Sequence, residues 1–262
     1  MTDSSSPWNP EIRQTPAGSG LAWWTQSFSW LFGDLARLGV WVAMLLCCLL
    51  ILTPLHWVPL VGSVASHLLW YVFCGGLMVA ARDTQRGQAP HFRDLFAGFG
   101  PRGGALIGAG VLVLAATLAV IGLMVAIGVG TILGAMAGAT SFEQIAVRSA
   151  ALTSIGWGSV LLLFVCLLAF IPISMAAWLA PALIMLRGAA PLEALRLSLR
   201  ACRRNLGALT VYGLVGVGLA LIATVMFLIG WLFLLPLIFL STYAAYREML
   251  GEDAPIEAAP SP

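Results

Sequence analysis

Long uncharged runs alternate along this chain with short arginine-bearing stretches, and that alternation predicts its elements. Residues 38–57 (LGVWVAMLLCCLLILTPLHW) carry no charge over the roughly 20 residues a helix needs to cross a bilayer core. The LHWVP break turns the chain, and a second span, residues 60–81, stops at Arg82. Residues 103–140 form an apolar run too long for one perpendicular span and too short for two spans with a turn. It reads as one helix from about 104 to 128, followed by a small-residue helix or loop at the outer face. Within it Ala126, Gly130, Gly134 and Gly138 recur every four residues, a smooth ridge on which another helix can pack closely. Residues 153–186 return through the membrane, with Pro172 and Pro181 predicting kinks or local unwinding. The last apolar run, 207–246, breaks at Ile229, Gly230 and Trp231 into spans 207–228 and 231–246. Flanking tails, 1–18 and 251–262, are polar and Pro-rich and read as disordered cytoplasmic ends of a membrane domain over 19–250. The first of them lacks the basic-then-apolar pattern of a cleavable signal peptide.

The polar interruptions are patterned too. In RGAAPLEALRLSLRACRRNLG, Pro191 suits a first helical position, and Leu192, Leu195, Leu199, Cys202 and Leu206 form a stripe at spacings of three and four. Arg196, Arg200, Arg203 and Arg204 fall on one flank of that stripe, with Ser198 and Asn205 on the other. Such a helix suits a membrane surface, which makes these four arginines candidate ligands for anionic lipid headgroups. It equally suits packing on the ends of the bundle, with the arginines enforcing topology. Residues 82–102 repeat the theme with four arginines and with Phe92, Leu95, Phe96 and Phe99 at amphipathic spacing. From Leu21 a third amphipathic segment carries Trp24, Phe28, Leu31 and Leu35, with Ser19 available as its cap. It reads either as an interfacial helix or as an extension of the first span.

Composition and charge fix the class. Hydrophobic residues make up 60% of the 262 and charged residues 9%, far below the quarter that wets a soluble domain. All 13 basic residues are arginine. Six spans put Arg13, Arg37, Arg82, Arg86, Arg93, Arg102, Arg187, Arg196, Arg200, Arg203, Arg204 and Arg247 on the cytoplasmic side and leave Arg148 alone outside. A seventh span would export the five arginines of residues 187–207. Trp57, Trp157 and Trp231 fall near the outer boundary, as interfacial tryptophans do. The expectation is an all-α, polytopic bundle in the bacterial inner membrane: six transmembrane helices as three hairpins, each preceded by a cytoplasmic amphipathic segment, with both termini cytoplasmic. The segments begin near Pro16, Pro90 and Pro191 and end with arginine and glycine before a span, a weak internal repeat.

The segment APALIMLRGAAPLEALRLSLRACRRN, with its G-x-x-P, its S-x-x-x-C-x-x-N ending and the later YAAYRE, resembles an uncharacterised proteobacterial six-span inner-membrane family. These proteins look YciC-like and, more distantly, similar to the membrane region of some glycerophosphodiester phosphodiesterases. The resemblance covers roughly residues 17–250 in layout. It implies a membrane location and no reaction, since no phosphodiesterase domain accompanies it.

Chemistry is sparse. His67, beside Ser63, Ser66 and Tyr71, is the one readily ionisable residue well inside a span and reads as hydrogen-bonded packing. Ion-coupled carriers keep charged groups at mid-membrane, and none stands here. His56, His67 and His91 fall at different depths, so no metal site is expected. Cys47, Cys48, Cys74, Cys166 and Cys202 form no C-x-x-C and read as packing residues. Glu143 and Arg148 read as a solvated outer pair. No enzyme signature, cofactor motif or nucleic-acid footprint is present. The expectation is a non-catalytic membrane protein acting through lipid or protein contacts, a partner protein or second copy included. The alternative is a transporter or lipid translocator, suggested by the repeat and the proline-broken fourth span.

Overall fold

The computed structural model describes residues 12–136, 161 and 164–251. In order these form α1 (Ser19–Phe32), α2 (Leu35–Leu55), α3 (Val61–Gln85), a 3-10 segment (Phe92–Phe99), α4 (Gly103–Met136), α5 (164–178), α6 (Ala180–Arg187), α7 (Pro191–Arg204), α8 (Leu206–Val225) and α9 (Phe227–Leu250). Six stretches are long and apolar enough to span a bilayer: Leu35–Leu55, Val61–Gln85, Gly103–Ile127, Phe164–Arg187, Leu206–Val225 and Ile229–Leu250. The protein is an all-α membrane bundle.

Local chemistry sets the boundaries, and it corrects several expectations. The first span begins at Leu35 because the Asp34 carboxylate accepts from the Ala36 amide at 2.9 Å, a side-chain cap. Ser19 does not cap α1; Gly18 holds that place and the Ser19 hydroxyl is used elsewhere. The buried face of α1 is Ser19, Gly20, Trp23, Trp24, Ser27 and Leu31, whereas Phe28 and Leu35 are 38% and 79% exposed. Segment 92–99 is 3-10 rather than α, so Leu95 is buried while Phe92, Phe96 and Phe99 stay exposed. Among its described residues the fourth span runs helically through Pro172 and breaks at Leu179, where Pro181 opens α6. The last hairpin turns at Met226, not at 229–231: Gly230 lies inside α9 because a Cβ there would meet the Ala223 backbone. Gly62 does the same against the Leu55 carbonyl in the first hairpin, so in both the glycine serves close helix approach rather than the turn.

The chain divides into two compact units, Leu112–Ser174 and the remainder. Within the first, helix continues through Gly130 and Gly134 to Met136; Gly138, Glu143, Arg148 and Trp157 lie outside the described residues. Leu118, Leu123, Val125, Phe164 and Leu167 are exposed there, an apolar surface that hydrocarbon solvates and water does not. The other unit holds both ends of the chain and the three amphipathic segments.

In that unit each amphipathic segment packs chiefly on the hairpin preceding it in a closed order. The 3-10 segment packs on α3, α7 on α6, and α1 on α8 and α9. Glycines permit the close contacts: a Cβ on Gly98 would overlap the Val72 carbonyl, and one on Gly20 would overlap Ala208 and Tyr212. Arg37 donates to the Gly87 carbonyl at 2.8 Å and Arg102 to that of Met185, so the polar connections meet at one arginine-rich end.

Candidate functional site

Helix α7 is the centre of that end. Its start follows from two backbone devices: Gly188 ends α6 in the left-handed region at φ 71°, and Pro191 supplies the preset φ of a first helical turn. Its buried face is not the leucine stripe expected. Ala194, Leu195, Leu197, Ser198, Ala201 and Cys202 are buried, while Leu192 and Leu206 sit exposed at the margins. The stripe shifts because a polar row makes the tightest contacts.

Three members of that row, Ser198, Cys202 and Asn205, each complete a backbone that would otherwise be left short of partners. The Ser198 hydroxyl donates to the Met175 carbonyl at 2.6 Å and accepts from the Leu179 amide at 3.1 Å. Those are the groups freed where α5 breaks, so one side chain closes the joint. The Cys202 thiol lies 3.5 Å from the same Met175 carbonyl. Burial pushes this thiol up to about 12, the Ser198 hydrogen bond offsetting a little of the effect. Asn205, 2% exposed, occupies the single residue between α7 and α8. Its Oδ1 accepts from the Thr15 amide at 2.7 Å and the Thr15 hydroxyl at 3.0 Å, and its Nδ2 donates to the carbonyls of Arg13 and Ala201, both at 3.0 Å.

The N-terminal segment is therefore held as a short strap. Its other edge is fixed by the Arg13 amide, which donates to the Met249 carbonyl at 2.8 Å. One turn into α1, the Ser19 hydroxyl and the Trp23 indole donate to the two oxygens of Glu248, at 2.6 and 2.7 Å. Beneath them lies an aromatic cluster in which Trp24 stacks on Tyr212 at 4.9 Å, and Trp23 and Trp178 approach the same ring at 5.8 and 5.2 Å. Its polar edges are satisfied: Trp178 donates to Thr242 and Trp24 to the Tyr212 carbonyl.

Arg187, only 6% exposed, lies under Gly251. It donates to the Tyr246 hydroxyl at 2.9 Å and to the carbonyls of Leu250 and Gly251 at 2.5 and 3.0 Å, with its Cζ 5.4 Å from the Tyr246 ring centroid. A cation on the last carbonyls of α9 complements the negative end of that helix. Beside it a cleft of about 470 Å³ is lined by Arg13, Gln26, Ala244, Arg247 and Glu248.

The four arginines singled out from the sequence are exposed on α7: Arg196, Arg200, Arg203 and Arg204 stand away from the Ser198–Asn205 row and outside the cleft. His67 behaves as the packing residue expected, 3.3 Å from the Gly110 carbonyl and against Tyr71, while Ser66 lies 3.5 Å from His56 instead. Of the residues in this end region, Ser198, Cys202 and Asn205 fall in the S-x-x-x-C-x-x-N ending, and Tyr246 and Glu248 in YAAYRE. The roles of Arg13, Arg187 and Glu248 depend on contacts distant in sequence, which no local pattern reveals.

In comparison with curated proteins, the chain is 30% identical over 268 aligned positions to a probable inner membrane protein of Burkholderia thailandensis. The alignment covers 94% of this chain and 96% of that protein. No family model matches the sequence. No solved structure matches it either.

Proposed function

The chain belongs to the family of the Burkholderia thailandensis probable inner membrane protein, and on that premise we propose a non-catalytic, multi-pass factor of the inner membrane that acts through lipid or protein contacts. The observation that carries this reading is the division of labour on α7. One face is locked to the bundle through Ser198, Cys202 and Asn205, and the other presents Arg196, Arg200, Arg203 and Arg204 to the surroundings. Each such arginine gains about 1 kcal/mol beside an anionic leaflet. The S-x-x-x-C-x-x-N row supports kinship with YciC-like proteins and, more distantly, with the membrane region of some glycerophosphodiester phosphodiesterases. The Ser198 closure at the α5–α6 break favours this reading over transport, because the freed backbone groups are consumed in a packed joint instead of facing a pathway.

The orientation belongs to the same proposal: the arginine-rich end, both termini included, faces the cytoplasm. Reporter fusions at Gln88, Ala189 and the C-terminus are expected to signal cytoplasm, and a periplasmic signal at Ala189 refutes the orientation. The lipid reading is tested by replacing Arg196, Arg200, Arg203 and Arg204 with glutamine, which preserves the helix and removes the charge. Melting with phosphatidylglycerol or cardiolipin added should show the wild type stabilised and the variant much less so. Equal stabilisation, at correct topology, reduces these arginines to topology signals.

A further inference from the structure

The cleft between α1 and α9 has a charge arrangement that the bundle's own packing does not use. Among the described residues the side-chain ion pairs are Arg37 with Asp34 and Arg82 with Asp83. Arg13 and Arg247 line the cleft, and neither pairs with a carboxylate there. Glu248, the acid in the cleft wall, already accepts from Ser19 and Trp23 through both oxygens. Arg187 adds a third cation close by, since a side chain built on Gly251 would contact the guanidinium groups of both Arg13 and Arg187. Three arginines against one glutamate leave the described groups at this place with a formal charge of two positive units.

Both lining arginines have an anchor. Arg247 lies with its Cζ 6.0 Å from the Trp30 ring centroid, within reach of a cation–π contact. Arg13 projects from a backbone fixed on two sides, by Met249 and by Asn205. A topology signal needs charge near a span end and needs no such anchoring. Two guanidinium forks in a polar cleft suit the oxygens of a phosphate group, which each can grip through paired N–H donors.

We propose that this cleft binds a phosphate ester, the phosphate between Arg13 and Arg247 and the hydroxyls of its alcohol against Gln26 and the remaining lone pairs of Glu248. This site is separate from the exposed arginines of α7 and stands or falls without them. The same chemistry is offered by a phospholipid headgroup and by a soluble phosphate ester, so the test uses both.

The full chain in neutral detergent is titrated with short-chain phosphatidylglycerol, with glycerol 3-phosphate and with a diacylglycerol lacking phosphate, and stabilisation is read from the melting temperature. Saturable stabilisation is expected from a phosphate-bearing probe and not from diacylglycerol. Response to phosphatidylglycerol alone identifies a lipid headgroup; response to glycerol 3-phosphate identifies the phosphate ester itself as sufficient. The R13Q/R247Q variant should raise the half-saturating concentration by about ten-fold or more. R247K, which keeps the charge and loses the fork, should fall between it and the wild type. The control variant R93Q, which removes an exposed arginine outside the cleft, should saturate as the wild type does. Because the full chain is used, Glu252 and Asp253, next in sequence to Gly251, are present in every arm. The proposal is overturned if no phosphate probe saturates, or if R13Q/R247Q saturates at the wild-type concentration.

Discussion

Replacing Asn205 by leucine should release the N-terminal strap while leaving the bundle folded. Leucine repeats the branching of asparagine but is larger, so some overpacking at this 2% exposed site adds to the polar loss. Three hydrogen bonds to the strap disappear: those from the Thr15 amide, from the Thr15 hydroxyl and to the Arg13 carbonyl. At roughly 0.5 to 1.5 kcal/mol net for each, the sum spans about 1.5 to 4.5 kcal/mol. These groups are part-buried and regain water once the strap lifts, which favours the middle of that span, about 2 to 3 kcal/mol. The opening equilibrium of the strap should then rise about 30- to 150-fold. Hydrogen exchange reads this directly, because the amides of Arg13 and Thr15 are each protected by a named acceptor, Met249 and Asn205. Thr15→Val, which removes only the hydroxyl bond, should raise exchange about ten-fold or less. Unchanged exchange at Thr15 in the leucine variant would refute the claim that Asn205 holds the strap.

Four further outcomes are expected. Ser198→Ala orphans the Leu179 amide, leaves the Met175 carbonyl only the Cys202 thiol, and should lower stability by about 1 to 3 kcal/mol, seen as a reduced melting temperature. The Cys202 thiol, pushed up to about 12 by burial, should resist maleimide at pH 8 until the protein unfolds. Its folded pKa exceeds its unfolded one, so its stabilising contribution is full below about pH 8.5 and is lost as pH rises from there toward 12. Gly230→Val drives a side chain into the Ala223 backbone and should destabilise the last hairpin in a melting scan, whereas the same change at Gly218, where a Cβ meets nothing, should be mild. Gly134→Leu should lower the melting temperature if the Gly130–Gly134–Gly138 ridge packs on a helix, and an unchanged curve would put that ridge against lipid.

Hydrophobic run length revealed the spans because membrane helices obey one strong rule, that the backbone must satisfy itself across the hydrocarbon. The ends of those spans were less legible. Asp34 moved one boundary by a cap, and Gly230 was read as a turn because a glycine at a close helix crossing and a glycine in a loop look alike in one dimension. On α7 the leucines at three and four spacing pointed to a face that is partly exposed, since Ser198 and Asn205 gain more from buried backbone partners than Leu192 and Leu206 gain from burial. Arg13 has no local signal, and YAAYRE does not show what Glu248 binds. Their partners lie more than 200 residues away in sequence for Glu248 with Ser19 and Trp23, and about 190 for the strap with Asn205.

That separation has a consequence for the order of assembly. As a chain is made from its N-terminus, α1 emerges first, yet the helices that receive it, α8 and α9, emerge last. Until then Trp23 and Trp24 have no Tyr212 to pack on and Glu248 does not exist, so the segment must wait at the membrane surface, where its tryptophans are at home. Full docking of the strap is thus a step that follows the synthesis of α9. A product lacking α9 would lose Glu248 and Met249 as partners of α1 and of the strap, and would hold residues 13–24 through Asn205 and Tyr212.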